Sequence, residues 1–257
     1  MLAGMKRPLV MRALGVAGRL VNDRHYRNAM LVRLERPLGL FQPDNHTVPD
    51  RYPELFDIAL REIGDGPDRR LLSFGCSTGE EVFALRGRFR AACIDGLDIN
   101  RRNIAIARAR LAAAPDDRIV FRAAGSGADL APSSYDAIFC MAVFRHGSLG
   151  DAVFPRCDHR IRFADFDRTL VDLAASLRSG GLMFIEWSNF RFRDTRAFAQ
   201  FEAAHTAPQA ARPDPIYDRS DRLMPGVAYR DVVFRKRLIV PPPAPAAPGQ
   251  GGSAAKA

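Results

Sequence analysis

Lysine is almost missing from this sequence: only Lys6, Lys236 and Lys256 stand among its 38 basic residues. The arginine excess is accompanied by abundant alanine, so it reads as coding bias as much as selection for a charged face. Cysteine is also sparse. Cys76, Cys93, Cys140 and Cys157 lie far apart, without paired metal-ligand spacing, and read as reduced structural thiols rather than a metal site. No apolar run is long enough to span a bilayer. Arg12 and Arg19 interrupt the apolar stretches at the amino terminus and no small-residue cleavage site follows, so that segment is not read as a signal peptide and the expected location is cytoplasmic. No internal repeat is visible.

What is present fits a globular chain. Of 257 residues, 47% are hydrophobic and 26% charged, enough for one good core and closer to one domain than two. A net charge of +9 would ordinarily point to nucleic acid or an anionic membrane. Here the basic residues are dispersed, except at the amino terminus. Lys6, Arg7, Arg12, Arg19, Arg24, Arg27, Arg33 and Arg36 face only Asp23 and Glu35 over the first forty positions, so this arm supplies most of the excess. Leu9, Val10, Leu14, Ala17, Leu20 and Val21 recur at helical spacing, which predicts an arm packed on the core or, alternatively, a surface helix for RNA or anionic lipid. The expected division is a basic helical arm and loop over 1–57, a catalytic domain over 58–240, and a disordered Pro/Ala/Gly tail over 241–257.

Between these ends, short apolar strands alternate with helices. Pro53–Ile63 reads as a helix. Strands are expected over Arg70–Phe74, Ala91–Ile99, Arg118–Arg122, Asp136–Val143 and Leu182–Trp187, and helices over Glu80–Arg88, Arg101–Ala113 and Phe163–Leu177, with Gly180 and Gly181 as a helix stop. A further helix is expected near Ala197–Ala204, and an edge strand over Tyr229–Val240, paired with a short one near Ile216. Such alternation predicts a doubly wound α/β fold with a mostly parallel sheet.

Ligands of these sheets bind where the winding reverses, beyond the carboxyl ends of the strands. The first strand-to-helix turn reads Gly75, Cys76, Ser77, Thr78, Gly79, Glu80, Glu81, with its N–H groups expected to face the pocket. Its spacing is not the dinucleotide fingerprint. Two glutamates in the first helical turn would repel a diphosphate and favour a cationic group, such as the sulfonium and ammonium of S-adenosylmethionine. Asp98, at the end of the second strand, can accept both hydroxyls of a ribose, with Ile99 against the base; alternatively it only caps the helix starting near Asn100.

The stretch Leu71, Leu72, Ser73, Phe74, Gly75, Cys76, Ser77, Thr78, Gly79 resembles the first motif of class I S-adenosylmethionine-dependent methyltransferases, and Cys76–Glu81 is most similar to the version in chemotaxis-receptor glutamate methyltransferases. The resemblance implies a seven-stranded, Rossmann-like methyltransferase fold and S-adenosyl-L-methionine as cofactor. It further implies that Gly75, Ser77 and Gly79 line the methionine and ribose, that Glu80 or Glu81 helps hold the cofactor, that Asp98 binds the ribose, and that Ser126–Asp129 borders the adenine. Cys76, Thr78 and Met141 complete the expected cofactor-binding set. Ser73 departs from the family, most of whose members carry an acid there, and Ser77 replaces the middle glycine.

The acceptor end should lie after the fourth strand, at Cys140, Met141, Ala142, Val143, Phe144, Arg145, His146. No amino-methylation signature for nucleic-acid bases, Pro-Cys nucleophile or ribose-methylating lysine set is present, so a small-molecule acceptor is expected, with protein or RNA second. His146 is a candidate general base and Arg145 a candidate holder of an acidic acceptor, with a polar loop as the plainer alternative. Glu186, Trp187, Ser188 and Asn189 reach the rim, and Trp187 either stacks on a planar acceptor or fills the core. No metal is expected. A non-catalytic S-adenosylmethionine-binding protein and a nucleotide-dependent oxidoreductase are the rival readings.

Overall fold

A computed structural model describes residues 21–35, 39–43, 47–151, 154–207 and 214–238. The arm before residue 21 and the tail from 239 onwards, with the expectations placed on them, lie outside the described residues. The helices are α1 (Arg24–Glu35), α2 (Pro53–Ile63), α3 (Glu80–Arg88), α4 (Arg101–Ala113), α5 (Ser148–Asp151) and α6 (Phe163–Ser176). The strands are β1 (Arg70–Phe74), β2 (Cys93–Asp98), β3 (Ile119–Ala123), β4 (Tyr135–Met141), β5 (Leu177–Glu186), β6 (Phe201–Thr206) and β7 (Asp231–Lys236). They form one sheet in the order β3-β2-β1-β4-β5-β7-β6, parallel from β1 to β5, with β7 antiparallel to both its neighbours. This is the doubly wound, mostly parallel, seven-stranded α/β sheet that the sequence predicts.

Strand periodicity builds two cores from one sheet. Leu71, Ile94, Phe139 and Phe184 face Phe56 and Ala59 of α2, Val82 and Leu85 of α3, and Ile104 and Ala107 of α4. Leu72, Ile138, Met183 and Ile185 face the other way, into Phe166, Leu170 and Leu173 of α6. Near-continuous apolar strands are what a sheet covered on both faces requires. β1 lies between β2 and β4, so the winding reverses beside its carboxyl end.

Three expectations are corrected. Gly180 and Gly181 do not stop α6, which ends at Ser176. They lie inside β5, where the register slips between Tyr135↔Leu177 and Ala137↔Leu182 and Gly180 takes φ +78, a bulge in the ladder. Ala197–Ala204 is not one helix: a 3₁₀ turn at Ala197–Gln200 gives way to β6, because β7 offers a ladder that outweighs local propensity. The strand expected at the edge is the interior β7, and β6 is the edge. Tyr217 makes only isolated bridges, to Phe190 and Leu223.

Candidate active site

A cavity of about 430 Å³ opens at the carboxyl ends of β1, β2 and β4. Its floor is the turn after β1. Gly75 takes φ +81 and packs so closely beneath the β4 loop that a Cβ there would stand 2.7 Å from Cγ2 of Val143. Ser77, Ala142 and Trp187, at the ends of β1, β4 and β5, all adopt positive φ without being glycine. Such strain gathers where backbone is held for a purpose other than stability.

The amides of the turn do not face the cavity as expected. Gly75 N and Cys76 N both donate to Leu97 O at 2.8 and 2.9 Å, and Gly79 N donates to Cys76 O at 2.9 Å. Ser77 N donates to Asp98 Oδ2 at 2.8 Å, and Asn100 N donates to Asp98 Oδ1 at 2.7 Å. Asp98 is therefore clamped against the turn with lone pairs remaining on both oxygens. Burial raises its carboxyl above the usual range, and the two backbone donors work against that shift. The capping alternative falls to its neighbour, since Asn100 caps α4 by accepting from Arg102 N at 3.0 Å.

The two glutamates that begin α3 part company. Glu80 turns towards α4: Arg110 donates to Oε1 at 2.7 Å and Thr78 Oγ1 donates to Oε2 at 2.6 Å. Glu81 lines the cavity, accepting from Ser73 Oγ at 2.7 Å. Burial pushes its carboxyl up to about 7, and the Ser73 hydroxyl restrains the shift. An acid thus occupies the neighbourhood of Ser73 after all, delivered from the helix instead of the strand.

Of the remaining residues expected from sequence, Gly75, Cys76, Ser77, Ile99, Met141 and Arg145 line the cavity. Thr78, Gly79, Glu80, Ser126 and His146 do not. Gly79 is the N-cap of α3, and Ala124 and Gly125 take the place expected for Ser126. The His146 amide donates to Asn189 Oδ1 at 2.8 Å, and its Nδ1 lies 2.8 Å from Ser148 Oγ, so the ring is engaged with its own loop. Sequence reading missed the segment between α1 and α2. Gly39, Leu40, Phe41, Gln42, Thr47, Val48, Arg51 and Tyr52 all line the cavity, and Phe41 is anchored edge-on to Phe144 with centroids 5.1 Å apart.

Residues 72–183 match the model of a family described as a methyltransferase domain. The matched segment is less than half of the chain, and over it the chain is similar to a methyltransferase domain. No curated protein matches the sequence. Among solved structures, it is similar to phosphoethanolamine N-methyltransferase 2 of Haemonchus contortus, crystallised with phosphomonomethylethanolamine and S-adenosylhomocysteine, at 16% identity and TM-score 0.42 over 74% of this chain and 37% of that one. It is similar to geranyl diphosphate C-methyltransferase of Streptomyces coelicolor A3(2) at 14% identity and TM-score 0.39, covering 52% of this chain and 44% of that one. YcgJ of Bacillus subtilis gives 12% identity and TM-score 0.42 over 58% of this chain and 57% of that one. The chain therefore spans between 37% and 57% of the lengths of these three proteins.

The cofactor of a methyltransferase domain is S-adenosylmethionine, and the residues present fit it. Asp98 would present its carboxylate to ribose hydroxyls. Ser77 Oγ is enclosed without a hydrogen-bond partner among the described residues. Ile99 packs so close to Gly125 that a Cβ there would meet it at 2.7 Å, and both residues line the cavity, where a base would lie against them. Glu81 is a buried carboxyl that accepts from the neutral Ser73 hydroxyl, placed where a positively charged sulfur or ammonium would complement it.

Arg145, also in the cavity lining, pairs with Asp214 at 3.1 Å and stacks over Trp187, 5.3 Å from the ring centroid. Trp187 is thus a partner of Arg145. Glu186, which ends β5, is pushed up to about 7 by burial and by Asp214, with Arg51 opposing. Ala142 N donates to Glu186 O at 2.8 Å, and Asn189 N donates to Phe144 O at 2.9 Å, so the loops after β4 and β5 are laced together as one wall. Among the described residues, no cluster of three His, Cys, Asp or Glu side chains is arranged for a metal, and no helix is long and apolar enough to cross a membrane.

Proposed function

We propose that this chain transfers a methyl group from S-adenosylmethionine to a small-molecule acceptor entering beside the ends of β4 and β5. The observation that carries the reading is Asp98, fixed at 2.8 Å over the Ser77 amide, in one cavity with Glu81. The cofactor supplies an electrophilic methyl on a positive sulfur, and its departure leaves a neutral thioether. The chain's own residues then need to bind, orient and exclude water. Asp98 holds the ribose, Ser77 and Glu81 the methionyl end, and Ile99 with Gly125 the base. Phe41, Phe74 and Val143 keep the transfer path apolar. The likeness of Cys76–Glu81 to receptor methyltransferases belongs to the cofactor side of this scheme. On the same reading, the catalytic unit extends from the segment around Phe41 to β7, and the basic arm before it adds a contact for nucleic acid or anionic lipid in the assembled protein.

The test is transfer of label from methyl-labelled S-adenosylmethionine into the low-molecular-weight fraction of a cell extract by the full chain. Label in small molecules, lost in Asp98→Ala, supports the proposal. Label confined to protein or RNA overturns the acceptor class, and cofactor binding with no labelled product of any kind overturns catalysis.

A further inference from the structure

We infer that the methyl acceptor carries an oxyanion, a carboxylate or a phosphate, held by Arg51, Tyr52 and Arg145. This inference rests on the methyltransferase reading and narrows its substrate. All three residues line the cavity. The Tyr52 hydroxyl and Arg145 Nε are enclosed with no hydrogen-bond partner among the described residues. Buried donors without partners are costly, and their presence in a pocket marks where a ligand supplies the acceptor.

The surrounding groups orient these donors, and Glu186 Oε2 and Asp214 Oδ2, also enclosed without a partner among the described residues, lie behind the lining. Asp214 holds one edge of the Arg145 guanidinium at 3.1 Å, and Trp187 supports its face. Arg51 lies over the Tyr52 ring, 5.3 Å from the centroid. Neither Asp214 nor Glu186 lines the cavity, and Glu81, which does, is hydrogen-bonded to Ser73 at the cofactor end. Burial raises the Glu186 carboxyl to about 7.

An ammonium-bearing acceptor would find the opposite of what it needs. The Tyr52 and Trp187 rings already carry a guanidinium over a face, and Arg51, Tyr52 and Arg145 of the cavity lining are donors. A planar, forked guanidinium matches a carboxylate or phosphate, and charge-assisted bonds of this kind are the strong ones.

The test uses the full chain loaded with S-adenosylhomocysteine, titrated calorimetrically with malonate and with inorganic phosphate, and with choline as the cationic control. At least one anion is expected to bind at a single site while choline does not. Arg51→Met and Arg145→Met should each weaken that anion by about tenfold and Tyr52→Phe by about threefold, with S-adenosylhomocysteine affinity within about twofold of the parent. Tyr52→Phe keeps the ring that packs edge-on to Phe56 at 6.4 Å, so it reports even if an arginine variant misfolds. Choline binding in place of the anions overturns the inference. So does anion binding that all three variants retain, which would place it elsewhere on a basic surface, or failure of both anions to bind a chain that holds S-adenosylhomocysteine. A parent chain that does not hold S-adenosylhomocysteine brings down the methyltransferase reading itself.

Discussion

The acids near the starts of the strands and those at the strand ends live under opposite regimes. Near the starts, Asp136 accepts from Arg69 at 3.3 Å, the Arg70 amide at 2.8 Å and Arg178 at 2.5 Å, while Asp95 accepts from Arg70, Arg122 and the Tyr135 hydroxyl at 2.9, 3.1 and 2.5 Å. At the ends, Glu81, Asp98, Glu186 and Asp214 are all held above the ordinary carboxylate range, with burial as the first cause. The first group ties the sheet together. The second makes the folded state less stable than it could be, which is what a site poised for a charged ligand looks like.

The largest expected break in this contrast is Asp98→Ala. It removes the proposed ribose contact and leaves the Ser77 and Asn100 amides without their acceptor, so S-adenosylhomocysteine affinity should fall by about a hundredfold in a calorimetric titration. Asp136→Ala should do the reverse. Denaturant unfolding is expected to show a loss of about 2 kcal/mol, less than for a fully buried pair because Arg69 and Arg178 are partly solvated, with cofactor affinity unchanged.

Glu81→Gln sharpens the contrast in both directions. Its carboxyl is raised from 4.5 to about 7 in the folded chain, so ionisation costs stability as pH climbs through that window, and the loss persists above it. The variant should therefore be more stable than the parent above about pH 7 and equal to it near about pH 4. Cofactor affinity of the parent should rise with pH between about 6 and 8 as the carboxylate forms, and in the variant it should be flat and about tenfold weaker at the upper end. Glu80→Gln, one residue away, should change affinity by less than about twofold and stability by about 0.5 kcal/mol, since its partner Arg110 is exposed.

Local chemistry explains what could be read in the sequence and what could not. The turn from Gly75 to Gly79, the acid at Asp98 and the alternation of strand and helix follow from short-range rules, and all stand in one place in the fold. The difference between Glu80 and Glu81 was also within reach. Glu81 precedes buried Leu85 by one helical repeat, so it shares the inward face of α3, whereas Glu80 is one position out of phase. β6 and the true place of β7 were not legible, because an edge strand with five of its six residues outside the core is decided by its partner. Nor were Arg51 and Tyr52, which reach the cavity through a loop that carries no motif. His146 was legible as a titratable residue at the right strand end, but its orientation depended on Ser148 and Asn189, contacts that spacing does not reveal.

The measurement that bears most directly on the site is calorimetric titration of the full chain with S-adenosylmethionine and, separately, with NAD. Saturable binding of the former, lost in Asp98→Ala, with no heat from the latter, is the expected result. NAD bound and S-adenosylmethionine ignored would contradict it.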